Sequence, residues 1–266
     1  MGDLDDCFLG SNGADAVDFL SYLFSTLSTE QTNFIGPDIS MMSNLDASDK
    51  EQVFKDCQNR VGDDTALVHV MNYIELKYSC GKKQKNSRRY HKSFYSFENK
   101  CYIEFDLEEF IQKSKRNKIE VKDCFNYFFN LKTEKSDEFC PECNNMTSCD
   151  SKTSLNKTSE YLIIVLNQKK NKKLTISFDE YINISRYTNN NDSNYRLVGV
   201  VLHIGNSSTF GHYISCCLNE EKFYVFNDKD VYDYSFEKLK ILNFTPYILF
   251  YEKKNPKSLN KNFKKY

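Results

Sequence analysis

The C-terminal third of this chain is almost unbroken strand, and that run constrains the fold more than any other feature. After the polar connection TNNNDSN (188–194), the segments YRLVGVVLHI (195–204), HYISCCL (212–218), KFYVFN (222–227) and TPYILFYE (245–252) follow one another. All are rich in the β-branched and aromatic residues that fit a pleated, half-buried surface. Strands joined by short turns pair with their neighbours, so an antiparallel sheet is the expected frame. Upstream, YLIIVLN (161–167) is short and apolar throughout, as a buried strand is. IELKYSC (74–80) and CYIEFDL (101–107) alternate as strands do, on either side of a basic, Ser-containing loop.

Two segments keep helical spacing instead. In NGADAVDFLSYLFSTL (12–27), residues Ala16, Phe19, Leu20, Leu23, Phe24 and Leu27 form an apolar stripe, with Ser11 or Asn12 placed as the N-cap. In VKDCFNYFFNL (121–131) the same period runs through Val121, Cys124, Phe125, Phe128 and Phe129. Residues 31–75 read as mixed helix and loop. The predicted class is α+β, and 266 residues with 21 Phe and 18 Tyr supply an ample core.

Charge excludes some functions. The net charge is −1, so nothing global points to nucleic acid. The basic clusters at 82–92, 169–173 and 253–266 are interleaved with Asn, Ser or Gln and read as solvated loops and a disordered tail. The acidic opening MGDLDD is no signal peptide, and the longest apolar runs are too short for a bilayer, so no membrane partner is expected. Ten cysteines without a secretory signal then suit a reducing compartment, cytoplasmic or nuclear, where clustered thiols serve metal or catalysis.

One histidine stands out. TFGHYISC (209–216) holds His212 between a glycine and a tyrosine at the start of a strand. A two-residue turn at Asn219–Glu220 pairs Leu218 with Glu221 and places His212 directly opposite Asn227. Side chains so paired have Cβ atoms about 5 Å apart, within reach of an amide-to-imidazole hydrogen bond. Such an amide fixes the ring's tautomer and aims its other nitrogen outward, which is the base-and-orienter half of a catalytic triad. Taken alone, the pair equally describes a polar contact at a sheet edge.

The surrounding boxes carry a family resemblance. HIGNSSTFGHY (203–213) resembles the His-x-Gly, short loop, Gly-His-Tyr box of ubiquitin-specific proteases, the papain-like cysteine deubiquitinases. FYVFNDKDV (223–231) is similar to the box that follows it, and TPYILFYE to the family's terminal Ala-Tyr-x-Leu-Phe-Tyr strand. EYLIIVLN, DCFNYFF (123–129), ELKYSC and NGADAVDFL (12–20) match further boxes in the expected order, so the resemblance covers roughly residues 10–252. It implies an antiparallel palm sheet (about 161–252), a zinc-finger-like fingers region (about 74–160), a reduced helical thumb, and a catalytic domain over 1–252 followed by the basic tail 253–266. It implies thiol-dependent hydrolysis of isopeptide bonds at the C-terminal glycine of ubiquitin, with ubiquitin or ubiquitinated proteins as partners.

By the same resemblance His212 is the general base, Asn227 orients it, and Asp228 assists with the oxyanion or water. Asp15, Asp18, Gly211 and Tyr213 fall where the family contacts ubiquitin. Asp15 and Asp18 lie three apart on one helical face and can clamp arginines, or simply solvate an acidic first turn.

The pattern departs from the family twice. CPEC (140–143) is a zinc knuckle, since two thiolates two residues apart grip one tetrahedral ion. The other knuckle is reduced to Cys80, with Lys83 at the partner position. Cys80, Cys140 and Cys143 leave a fourth ligand for one structural zinc to Cys101, Cys149 or His91; otherwise Cys80 is a buried thiol and the region holds by packing. Cys57, Cys124, Cys216 and Cys217 read as small apolar packing groups.

The second departure is the nucleophile. The family's Gly-Asn-Thr-Cys box lies far upstream of the box matched by residues 12–20, and this chain begins almost at the latter. LDDCFLGS (4–11) offers Cys7 before a helix, but Leu-Asp-Asp replaces Gly-Asn-Thr and its acids raise a thiol's pKa. Three readings stand: a protease whose cysteine box is encoded upstream, a catalytically inactive ubiquitin-binding scaffold, and a short active form using Cys7.

Overall fold

The computed structural model describes residues 14–29, 41–42, 50–51, 54–55, 58, 66–168, 174–188, 193–205, 211–241 and 244–254. Cys7, Ser11, Asn12, Cys57 and the tail from 255 onward lie outside the described residues. Strands are β1 (Met41–Met42), β2 (Asn72–Ser79), β3 (Phe94–Lys100), β4 (Ile103–Asp106), β5 (Lys118–Glu120), β6 (Glu134–Cys140), β7 (Asn145–Lys157), β8 (Tyr161–Asn167), β9 (Thr175–Ser177), β10 (Tyr181–Asn183), β11 (Asn194–Ile204), β12 (His212–Asn219), β13 (Lys222–Asn227), β14 (Asp230–Tyr234) and β15 (Thr245–Lys253). Helices are α1 (Ala16–Thr29), α2 (Leu107–Ser114), α3 (Val121–Asn126) and α4 (Phe236–Lys240), and one π turn, Tyr127–Leu131, prolongs α3.

Five consecutive residues of β8, Leu162 to Leu166, are buried, as a strand covered on both faces must be. Alternation then splits them: Leu162, Ile164 and Leu166 join one core with Phe105, Phe125, Leu197, Leu249 and Tyr251. Ile163 and Val165 join another with Ile248, Tyr73, Phe97 and the α1 residues Leu20 and Phe24. The sheet between these cores runs β14-β13-β12-β11-β15-β8-β4, with β10 paired on β11; all its contacts are antiparallel except β4 with β8.

A second sheet, β1-β3-β2-β7-β6, extends away from this body and is antiparallel throughout. Its far end has only a small cluster, Tyr78, Phe94, Cys140 and Cys149, with the two rings stacked at 5.2 Å.

Four details differ from the sequence expectations. Helix α1 starts at Ala16 with Asp15 at its cap: the Asp15 carbonyl accepts from Phe19 N (3.1 Å) and its Oδ1 from Val17 N (2.7 Å). Phe19 and Leu23 face outward, because Leu20 and Phe24 take the core side. The stretch after 106 turns helical, since Asp106 Oδ1 caps α2 by accepting from Glu108 N and Glu109 N. Strand β14 is a further element that sequence reasoning passed over. No helix among the described residues is long and apolar enough to cross a membrane.

Candidate functional site

His212 and Asn227 meet where the β12–β13 ladder ends. His212 Nε2 donates to Asn227 Oδ1 at 2.6 Å, and Asp228 Oδ2 stands 3.7 Å from the same nitrogen. With Nε2 carrying the proton, the neutral ring keeps its lone pair on Nδ1. That is the arrangement of a base waiting for a proton.

The register that achieves this is not the expected one. Asn219 pairs with Lys222 and Ser215 with Phe226, so the turn is Glu220–Glu221 rather than Asn219–Glu220. Sliding a two-residue turn by one position moves every partner by two. Continued outward, the ladder sets Asn227 beside Ile214 and one diagonal step from His212. An even shift leaves both side chains on one face, and a diagonal pair is within reach of long side chains. Two features fix the turn. Glu220 adopts φ 56°, and Arg196 of β11 holds the Glu221 carboxylate with both terminal nitrogens, at 3.3 and 2.8 Å. Arg196 also donates from Nε to Glu180 (3.1 Å).

Asp15 ties α1 to this end of the sheet. Tyr213 Oη donates to Asp15 Oδ2 (3.1 Å), and Tyr247 Oη lies 2.9 Å from both carboxylate oxygens. The two rings stack at 5.7 Å. Burial first, then the Asp15 carboxylate, pushes the Tyr213 hydroxyl well above the usual phenol range. Asp15 is therefore occupied as a latch, while Asp18 stays exposed. Tyr247 was missed as a site residue, although the terminal strand box contains it. Gly211 serves close approach: a Cβ there would sit 2.0 Å from His203 Nε2. The His203 ring in turn packs on Tyr213 at 5.0 Å, and burial lowers its pKa.

At the far end of the second sheet, Cys80, His91, Cys140 and Cys143 bring their donor atoms within 4.8 Å of one another and could hold a metal ion. His91 Nδ1 lies 3.4, 3.7 and 3.3 Å from the three sulfurs, and Cys80 and Cys140 are 3.5 Å apart. Tetrahedral zinc, with bonds of about 2.3 Å to sulfur and about 2.0 Å to nitrogen, needs ligand separations of about 3.5–3.8 Å. The donor set fits. His91 is thus the fourth member; Cys101 packs against the α1 core and Cys149 in the small distal cluster.

The loop read as merely solvated delivers His91. Gln84 N donates to Arg89 O and His91 N to Lys82 O, and Lys83 lies over the Tyr90 ring instead of ligating. Glu142 accepts from Lys92 N (2.8 Å) and Gln84 Nε2 (3.1 Å) and stands 3.9 Å from His91 Nε2, the outer carboxylate that orients such a ring.

Among the described residues no thiol lies within hydrogen-bonding distance of His212. Cys124 and Cys216 are buried, which pushes their thiols up to about 12 and leaves them inert. Cys217 is exposed, contrary to the packing role expected of it.

The family model of ubiquitin carboxyl-terminal hydrolases matches residues 1–251. The chain belongs to this family. Among curated proteins, none matches it. Of the solved structures similar to this chain, one is the SAGA DUB module of Ubp8, Sgf11, Sus1 and Sgf73. It matches with TM-score 0.63 and 21% identity over 91% of this chain and 51% of that one. The yeast SAGA DUB module with an Sgf73 mutant matches at 0.63 and 20%, over 91% and 51%. A Ubp8 module bound to monoubiquitin matches at 0.56 and 21%, over 90% and 54%. The chain spans about half the length of these relatives, and the likeness establishes a shared fold, α+β with antiparallel sheets.

Proposed function

We propose that this chain is a ubiquitin-specific protease that cleaves isopeptide bonds at the C-terminal glycine of ubiquitin. The observation that carries the reading is the 2.6 Å contact from His212 Nε2 to Asn227 Oδ1. Nδ1 takes the proton of an approaching thiol, and the thiolate attacks the glycine carbonyl. The leaving lysine amine receives that proton as the tetrahedral intermediate collapses to a thioester. Nδ1 then takes a proton from water, whose oxygen displaces the thiol. Asp228, 3.7 Å from His212 Nε2, assists with that water in this reading. Asp18 remains free for a basic residue of the ubiquitin tail, with Gly211 and Tyr213 beside it, and Asp15 acts by holding Tyr213 in place. In this reading the eight-stranded sheet is the palm and the five-stranded sheet the fingers, within a catalytic domain over 1–252.

Cys80, His91, Cys140 and Cys143 hold one structural zinc. Four protein ligands leave no open position, so the ion would cross-link chain rather than activate water. A thiol-dependent enzyme of this kind suits the reducing cytoplasm or nucleus.

A second reading is a ubiquitin-binding scaffold without activity, favoured by the lack of any described thiol near His212. Ubiquitin carrying a C-terminal thiol-reactive warhead separates the two. A covalent adduct that disappears in both Cys7→Ala and His212→Ala establishes an active short form. Retained ubiquitin binding without an adduct means that these 266 residues lack the nucleophile, and the genomic sequence upstream of Met1 then decides between a protease whose cysteine box is encoded there and the scaffold. No binding at all overturns both readings.

A further inference from the structure

A cleft of about 750 Å³ lies between the fingers-like sheet, helix α2 and the π turn that follows α3, and neither His212 nor any of the four ligand residues lines it. Its sheet wall is one face of three strands. Tyr78 pairs with Ser151, Ser151 with Glu134, and Thr147 with Glu138, so alternation puts Leu76, Tyr78, Ser136 and Glu138 on the same side. The opposite side of β2, through Tyr73, faces the α1 core.

Two polar groups in this wall are unpaired. Glu138 is only 7% exposed, yet no donor or cation among the described residues comes within bonding distance of its carboxylate. Ser136 Oγ, two residues back on the same face, is buried without a hydrogen-bond partner. A buried hydroxyl without a partner is costly, and such groups are normally hydrogen-bonded; the Glu138 carboxylate beside it has no protein partner among the described residues and meets the water of the cleft. The other acid of the cleft floor is already engaged: Glu109 accepts from Tyr127 Oη at 2.9 Å and from Lys132 Nζ at 2.8 Å, and Lys132 also meets Glu134 at 2.7 Å. Lys113 and Lys135 lie on the exposed rim, where water and salt screen them, while Glu138 sits deeper in the wall. Both groups can accept from a donor in the cleft, Glu138 through its carboxylate oxygens and Ser136 through its hydroxyl lone pairs. Beside them Leu76 and the Tyr78 ring form an apolar wall suited to methylene groups and to a cation over the ring.

We propose that this cleft binds an alkylammonium group, the lysine side chain of a partner polypeptide, with its stem along Leu76 and Tyr78 and its ammonium on Glu138 and Ser136. The polypeptide source is favoured because β6 is an edge strand among the described residues, so a chain laid along it can add backbone pairing to the pocket contact. The site is independent of the thiol chemistry proposed above.

The test is an NMR titration of the full chain with acetyl-Gly-Lys-Gly-amide, its Nζ-acetylated counterpart, and spermidine. The lysine peptide is expected to shift the amides of Tyr78, Ser136 and Glu138 saturably, and the acetylated peptide to do nothing. Glu138→Gln, nearly isosteric and so compatible with the fold, should weaken binding at least tenfold, and Ser136→Ala by a smaller factor. Saturable shifts that persist unchanged in Glu138→Gln, or no saturable shift from either amine, overturn the site. Tighter binding of spermidine than of the peptide overturns the polypeptide source.

Discussion

The two sheets of this molecule differ in how much apolar packing they carry. The eight-stranded sheet is packed on both faces, with Phe105, Ile164, Leu197, Leu249 and Tyr251 fully or almost fully buried in one of its cores. The far end of the five-stranded sheet has two buried aromatic rings and two thiols. Burying a large apolar side chain contributes about 1.5–3 kcal/mol, while ordering each residue costs about 1–2 kcal/mol. Two rings cannot hold the ends of β6 and β7 and the loop 82–92. An ion bound by thiolates contributes about 10–16 kcal/mol and can. A sheet can thus be specified by area or by a few directed bonds; the packed cores give the eight-stranded sheet the first, and an ion held at Cys80, His91, Cys140 and Cys143 would give the other sheet the second.

The sharpest way to break that comparison is to remove the metal ligands. Cys140→Ser, or chelation, should abolish amide protection at the distal ends of β6 and β7 while β8, β11 and β15 stay protected, a local loss of about 10 kcal/mol read by hydrogen exchange. Retained protection would mean that packing alone suffices there. Next in size is Phe105→Ala, because its ring lies 5.0 Å from Phe125 and 5.2 Å from Phe128 in the palm-like core. It should lower stability by about 3–5 kcal/mol in urea titration and leave the metal corner intact.

Alkali should act on the same body. Tyr251 is fully buried and its hydroxyl donates to Asp179 O (2.8 Å); burial holds its pKa above the usual value, and the nearby Asp179 adds to it. The unfolded chain therefore releases this proton first. Stability is intact below about pH 10 and falls above it by up to about 1.4 kcal/mol per pH unit from this group, measurable as the pH dependence of the urea midpoint. The smallest effect is expected of Asp15→Ala. Loss of the α1 cap costs about 1 kcal/mol, and a fluorescence or NMR probe of Tyr213 and Tyr247 should report freed hydroxyls.

Much of this was legible in the sequence, and the rest was hidden for physical reasons. The strands of the last third and the neighbour pairing of β11, β12 and β13 followed from composition and turn length, whereas the crossing of β15 to the other side of β11 did not. The pairing of His212 with Asn227 followed because the face of a strand depends only on odd and even spacing, so the wrong turn still led to the right side. Three thiols of the metal corner were legible from their spacing. His91 was not, since the choice among His91, Cys101 and Cys149 depends on which face of which strand each occupies. Cys101 went to the α1 core and Cys149 beneath Tyr78. Asp15 as a latch was equally hidden, because its two tyrosines lie about two hundred positions away along the chain. Helix α2 had a readable signal, Asp106 followed by Glu108 and Glu109, masked by the strand-like alternation before it.

The slipped turn at Glu220–Glu221 has a consequence for how this hairpin can change length. One residue inserted between Lys222 and Asn227 would carry the amide through to the reverse side of the sheet, with either two-residue turn. Two inserted residues would bring it back and set it squarely across from His212 instead of one step along. Length variation in β13 is thus tolerated in twos and forbidden in ones, a rule of parity that acts on the gene rather than on any single contact.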